Sequence, residues 1–162
     1  MSWSSDFLWA LGVTAAAALV VAIAGAVLTE IGPWYDNLRK PSWKPPDWAF
    51  GPVWTTIFVL ATISAALAWE AAATPEARRA VLIVLAINAI LNIAWSGIFF
   101  KLRRPDWALG EVALLWLSIV SLIVVLGGQS TLAGVLMIPY LAWVSTAAFL
   151  NLRIVQMNAP FR

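Results

Sequence analysis

The spacing of charged residues constrains this chain more than any other feature. Between Asp6 and Glu30 lie 23 uncharged residues, Phe7 to Thr29. Between Asp47 and Glu70 lie 22, between Arg79 and Lys101 lie 21, and between Glu111 and Arg153 lie 41. About 20 apolar residues in a helix cross the ~30 Å hydrocarbon layer of a membrane. The run of 41 is therefore two crossings, and "GGQST" at 127–131 offers a turn between them. The pattern predicts an all-α, integral membrane bundle of five transmembrane helices in a single domain. The helices are expected at about 6–30, 51–72, 75–101, 106–127 and 131–154, with a Trp/Pro-rich loop at 31–50. A β-barrel would need short alternating strands, and these continuous apolar runs do not alternate. A soluble fold is excluded by composition, since 11% of residues are charged against about 25% in soluble domains.

The first run has no Lys or Arg before Arg39 and is longer than the apolar core of a signal peptide, so it is expected to stay as a helix. Basic residues fall unevenly between the two sides. Arg39, Lys40, Lys44, Lys101, Arg103, Arg104, Arg153 and Arg162 belong to one side, and only Arg78 and Arg79 to the other. In an inner membrane the positive-inside rule puts the C-terminus and the Trp/Pro loop in the cytoplasm and the N-terminus outside. Local punctuation supports the count. "TPEARR" gives Thr74 as N-cap, Pro75 at the first helical position and Glu76 in the first turn. Asp106 is the expected N-cap of the fourth helix, and Pro52 is expected in the first turn of the second. Pro139 lies inside the fifth helix and should kink it.

Several functions lose their chemistry at this stage. The chain has no cysteine and no histidine, so thiolate chemistry and the commonest metal ligand and general base are missing. No metal site and no required cofactor are expected. Haem would want an axial ligand that is not here, so metal-free porphyrin is easier to accommodate. Glu30, Glu70 and Glu111 lie near expected helix ends, within reach of the interface. No acid is expected near the bilayer centre, where a proton-coupled carrier would bury one. With no soluble second domain, no nucleic-acid partner is expected.

Aromatic residues carry the remaining signal, 11 of them tryptophan. Trp3, Trp9 and Trp69 sit near helix ends, where indoles settle at the headgroup level. The stretch "WYDNLRKPSWKPPDWAFGPVWT", residues 34–55, holds four tryptophans, four prolines and five charges. Prolines limit its conformations, so rings such as Tyr35 and Trp43 can be held over the mouth of the bundle. Arg39, Lys40 and Lys44 are placed to meet ligand carboxylates or anionic lipid heads. In the third helix Asn88, Asn92, Trp95 and Phe99 share one face. Each amide is either interhelical glue or pocket lining, and the two roles are compatible. Pro139, Trp143, Ala147 and Leu150 form a stripe in the fifth helix, with Asn151 beside it. Trp107 and Glu111 share a face of the fourth, and Trp54, Phe58, Ala61 and Ala65 one of the second. Four helices thus offer rings at one level. These either fill the core or wall a site for a flat apolar guest.

The chain resembles the TspO/MBR family, the tryptophan-rich sensory proteins whose animal members are the translocator proteins or peripheral benzodiazepine receptors. The resemblance rests on "WYDNLRKPSWKPPDWAFGPVWT", "NIAWSGIFF", "DWAL" and "PYLAWVSTAAFLN". It implies a five-helix membrane protein, commonly a homodimer, binding porphyrins and other flat aromatic ligands in a pocket below the first loop. By position it implies ligand contacts at Trp54, Asn92, Trp95, Trp107, Trp143, Ala147 and Leu150. Some bacterial members are reported to break down porphyrin in light, which would make Trp54 and Trp143 the reactive rings. Two departures stand out. Leu152 occupies the place of the tyrosine in the animal cholesterol pattern, so sterol binding is not carried over. Ser96 and Gly97 replace a bulkier or proline-containing pair, which should alter the bend of the third helix.

Overall fold

A computed structural model describes residues 4–161. In chain order the helices are α1 (Ser5–Leu28), α2 (Pro33–Asn37), α3 (Asp47–Ala71), α4 (Pro75–Ser96), α5 (Pro105–Gln129), α6 (Thr131–Leu136) and α7 (Ile138–Asn158). A π-helical turn, Gly97–Lys101, extends α4. Among the described residues there is no strand, and five spans are long and apolar enough to cross a membrane. They are α1, α3, α4 with its π turn, α5, and α6 with α7. The expected Trp3 belt position and Arg162 lie outside the described residues.

Local chemistry sets the boundaries. Thr74 caps α4 by accepting from the Ala77 N–H at 3.1 Å, as its sequence predicts. Ser4 caps α1 in the same way, accepting from Phe7 at 3.0 Å. Three expectations need correction. Helix α3 begins at Asp47, so Pro52 lies a full turn inside it rather than in its first turn. Proline has no N–H to give the Trp48 carbonyl there. Helix α5 begins at Pro105 with Arg104 in the cap position, and Asp106 is not the cap. Its carboxylate instead takes the Arg104 guanidinium, Nε to Oδ1 at 2.8 Å. Finally, Gly127 and Gly128 do not turn; α5 runs on through them to Gln129, and Ser130 alone separates it from α6.

That one-residue connection depends on glycine. A Cβ on Gly134 would sit 2.8 Å from the Gly127 Cα and 3.1 Å from the Ile123 carbonyl oxygen. Only a bare backbone lets α6 fold back so closely on α5. The fifth span then breaks at Met137, two residues before Pro139, so the expected kink takes the form of a short α6 and a long α7.

Helix α5 is the axis of the bundle, packed against α3, α4, α6, α7 and the π turn. Its buried face, Val112, Leu115, Ile119, Leu122 and Leu126, joins Met137, Tyr140 and Val144 in the main core. By contrast, α1 packs on α3 and α4 and leaves Leu19, Val20, Ile23 and Val27 exposed on the face that lipid would cover. Between lipid and protein there is little hydrophobic difference, so close packing and interhelical hydrogen bonds hold such a bundle. Trp9 and Trp69 sit 6.1 Å apart at one end, as interface rings should, with the Arg78 guanidinium over Trp69 and bonded to Asp6.

Candidate functional site

At the other end, beneath the Trp/Pro loop, the spans part around a cavity of about 490 Å³. Its walls include Trp54 and Phe58 of α3, Asn92 and Trp95 of α4, and Trp143 and Ala147 of α7. Tyr35 and Phe50 close it from the loop side, and Val21, Ala22 and Gly25 of α1 complete it. Neighbouring rings pack against one another in two groups. Trp54 stacks with Phe58 at 5.6 Å and meets Tyr140 edge-on at 6.0 Å, and Phe50 stands edge-on to Trp143 at 5.3 Å.

The roof is a fixed element. Asn158 at the end of α7 accepts from the Arg39 N–H and donates to the Arg39 carbonyl, both at 2.8 Å. Lys40 turns its ammonium onto the loop's own carbonyls, those of Tyr35, Asp36 and Leu38. Lys44 pairs with Asp47. The loop cations are thus largely spent on holding the loop, and only Arg39 leaves its side chain exposed to solvent. Tyr35 is buried under this roof, and burial, with the nearby Asp47 and Asp36 carboxylates, pushes its phenol up to about 12.

Deeper in the bundle the two asparagines divide the roles left open by their spacing. Asn88 donates to Ser118 at 2.9 Å and accepts from the Tyr140 hydroxyl at 3.3 Å, so it is glue between α4, α5 and α7. Asn92 donates to the same hydroxyl at 2.7 Å and also lines the cavity, so it serves both ends. Ser64 adds a bond to the Ala133 carbonyl at 2.7 Å.

Of the twelve residues expected at the site, Tyr35, Trp54, Phe58, Asn92, Trp95, Trp143 and Ala147 line the cavity. Five do not. Trp107 is 57% exposed and lies under the Arg104 guanidinium at 4.1 Å. The buried face of α5 runs through Pro105, Ala108, Glu111 and Val112 and leaves residue 107 on the outside. Trp43 stacks on the outer ring of Phe149 at 5.3 Å. Leu150 is buried in a separate cluster with Phe99, Phe100 and Ala108. Asn88 belongs to the polar knot just described. Phe99 is displaced by the π turn. Four residues after Trp95 would share its face in an α-helix, but the wider turn brings the fifth, Phe100, to the cavity instead. The Ser96-Gly97 pair sits where this widening starts.

A second, shallow apolar groove of about 550 Å³ lies on the outer face between α5 and α7. Val112 lines both hollows, so the wall between them is thin at that level. Sequence reasoning also missed Phe50 and Phe100, which line the cavity, and Tyr140, whose hydroxyl joins Asn88 and Asn92. Tyr140 is legible in retrospect, because a lone tyrosine in an apolar run needs a partner for its hydroxyl. Glu111 was placed at the interface by its distance from the end of its helix; instead it is 8% exposed and buried in the bundle.

The architecture defines a class: a multi-pass membrane protein built around an aromatic-walled intramembrane cavity. The TspO/MBR family model matches residues 12–157, and the chain belongs to the TspO/MBR family. It is 37% identical over 142 residues to the "Tryptophan-rich protein TspO" of Chlorobaculum tepidum, covering 86% of this chain and 90% of that protein. With the "Tryptophan-rich sensory protein" of Cereibacter sphaeroides it shares 33% identity, covering 93% and 92% of the two chains. With the human "Translocator protein" it shares 35%, covering 80% and 77%. The family and these relatives support a membrane receptor or regulator role.

Proposed function

We propose that this protein is a membrane receptor for flat, largely apolar ligands of the tetrapyrrole kind, taken up in the cavity under the Trp/Pro loop. The observation that carries the reading is the convergence of Trp54, Trp95 and Trp143 from three spans on one cavity of about 490 Å³. That volume falls within the usual range for small-molecule sites. Indole faces favour planar aromatic guests through offset stacking. The pinned loop supports the same reading, because a roof that is already ordered loses little entropy when a ligand binds. Under this proposal the loop end faces the cytoplasm in an inner membrane, on the charge asymmetry of the flanking segments.

The test is a titration of the purified protein with protoporphyrin IX, followed by tryptophan fluorescence. Saturable quenching is expected, and Ala147→Phe, which places a ring in the cavity, should weaken it by at least about tenfold. Quenching that never saturates, or that ignores the Phe variant, overturns the reading. Flux of the porphyrin into proteoliposomes then separates carriage from sensing. A second reading, light-driven breakdown of bound porphyrin, is favoured by the presence of both Trp54 and Trp143 in the cavity wall. Illumination under oxygen distinguishes it: a new absorbing product lost in Trp143→Phe supports breakdown, and simple bleaching supports a receptor alone.

A further inference from the structure

Among the described residues that line the cavity, one carries a formal charge: Asp47, the first residue of α3. Tyr35 of the loop lines the same cavity and is only 7% exposed. Its hydroxyl makes no hydrogen bond to a described residue, and the Asp47 carboxylate is near enough to oppose its ionisation. Buried hydroxyls are normally paired. Here an unpaired hydroxyl and a carboxylate share the loop side of a cavity walled mostly by rings and aliphatic groups.

The other polar groups of the wall are neutral. Thr29 and Thr55 return their hydroxyls to carbonyls one helical turn back, those of Gly25 and Gly51, at 2.8 and 2.9 Å. Asn92 gives its amide N–H to Tyr140, and Ser96 adds a hydroxyl one turn further along α4. The indole N–H groups of Trp95 and Trp143 are donors without charge. Charge selection at this cavity therefore falls to Asp47.

No Lys or Arg among the described residues lines the cavity. Lys44 pairs with Asp47 through Oδ1, and its ammonium also donates to the Pro45 carbonyl at 3.1 Å, on the loop. Because Asp47 lines the cavity and Lys44 does not, the negative end of this pair is the one a ligand meets. Lys40 lies over the Tyr35 ring at 4.2 Å but is held by loop carbonyls. The N-terminal turn of α3 would by itself favour an anion, since its first N–H groups lack helical partners. Asp47 fills that place with a negative charge of the chain's own.

We propose that Asp47 and Tyr35 form a polar subsite at the rim of the cavity, which takes a protonated nitrogen of the ligand and turns carboxylates away. The Asp47 oxygen not used by Lys44 and the Tyr35 hydroxyl oxygen accept from the ligand N–H, while the flat apolar body lies among the indoles. No covalent bond changes and no proton is transferred. The subsite also sets orientation: the cationic end lies under the loop, and any carboxylate the ligand carries points away from the start of α3. This rests on the cavity being a ligand site, as proposed above.

Two three-ring probes of opposite charge test it: 9-aminoacridine, cationic near neutral pH, and anthracene-9-carboxylate. Each is titrated into the purified protein in an uncharged detergent, with tryptophan fluorescence as the readout. Wild type should bind the cation more tightly. Asp47→Asn should weaken the cation and strengthen the anion, each by about threefold for a half-exposed charge, so that the preference changes about tenfold. Tyr35→Phe should weaken the cation by a smaller factor; unchanged affinity there removes the hydroxyl from the subsite. Glu76→Gln takes the same charge from the start of α4, at the far end of the bundle, and should change neither probe. An Asp47→Asn preference equal to that of wild type overturns this proposal and leaves the cavity reading standing. So does an equal change in Glu76→Gln, which would make the effect one of net charge. If neither probe binds but protoporphyrin IX does, the subsite falls alone; if none of the three binds, both readings fall. An unfolded Asn variant does not spare the idea, because tighter binding of the anion by wild type overturns it without any variant.

Discussion

The two ends of the bundle interior use the same kinds of residue to opposite effect. Away from the loop, Asn88, Ser118 and Tyr140 satisfy one another, and glycine brings α6 against α5 with no room to spare. Under the loop, rings of similar size stand apart around a cavity. There Trp95 and Trp143 leave their indole N–H groups, and Glu111 both its oxygens, without partners among the described residues. Asn92 joins the two regions, since it bonds Tyr140 and lines the cavity. Buried polar groups are normally satisfied in a structural core. The contrast therefore separates a part whose buried polar groups satisfy one another from a part in which several do not.

The closed end should break first and hardest. Gly134→Val would drive side-chain carbons into the Gly127 backbone and should cost about 1–3 kcal/mol or more by overpacking. Thermal unfolding in detergent would register it as a clear drop, whereas Gly51→Ala, with nothing within 4 Å, should leave the midpoint nearly unchanged. Next in size is Tyr140→Phe, which strips an acceptor from Asn92 and a donor from Asn88. Its expected cost is about 1–3 kcal/mol for the groups left unsatisfied, read in the same melt. A variant as stable as wild type would mean that the knot is ornamental and the contrast false.

The smallest effect belongs to the loop and sharpens the comparison. The Tyr35 phenol is raised from its ordinary value near 10 to about 12 by burial, helped by Asp47 and Asp36. A group whose folded value is raised gives stability below its unfolded value and loses it as pH climbs through the folded one. Loop docking should thus be intact below pH about 10 and weaken between about 10 and 12. Limited proteolysis of residues 33–46 across that range should show release of the loop while the spans stay protected. Tyr35→Phe should reduce the pH dependence, leaving the part that comes from the Lys40 ammonium, whose burial lowers its pKa.

Much of this was legible in the chain. The spans follow from intervals between charges, which the bilayer's thickness converts directly into a count. Cavity residues on regular helix, such as Asn92, Trp95, Trp143 and Ala147, follow from spacing on a common face. Legibility fails where backbone geometry departs from the regular repeat. The π turn moves Phe99 out and Phe100 in, and nothing in "GIFF" states that a turn widens. It also fails where neighbours decide orientation: Trp107 and Glu111 are one turn apart, yet one faces outward and the other is sealed within. The glycines at 127 and 128 read as a turn but serve as a contact surface, a role visible only once α6 is laid against them.

The single residue between α5 and α6 also bears on how the chain enters a bilayer. Ser130 offers no hydrophilic stretch that could be moved across by itself, and the uncharged run continues on both sides of it. The expected consequence is that the last two spans enter as one helical hairpin, closed where Gly127 meets Gly134.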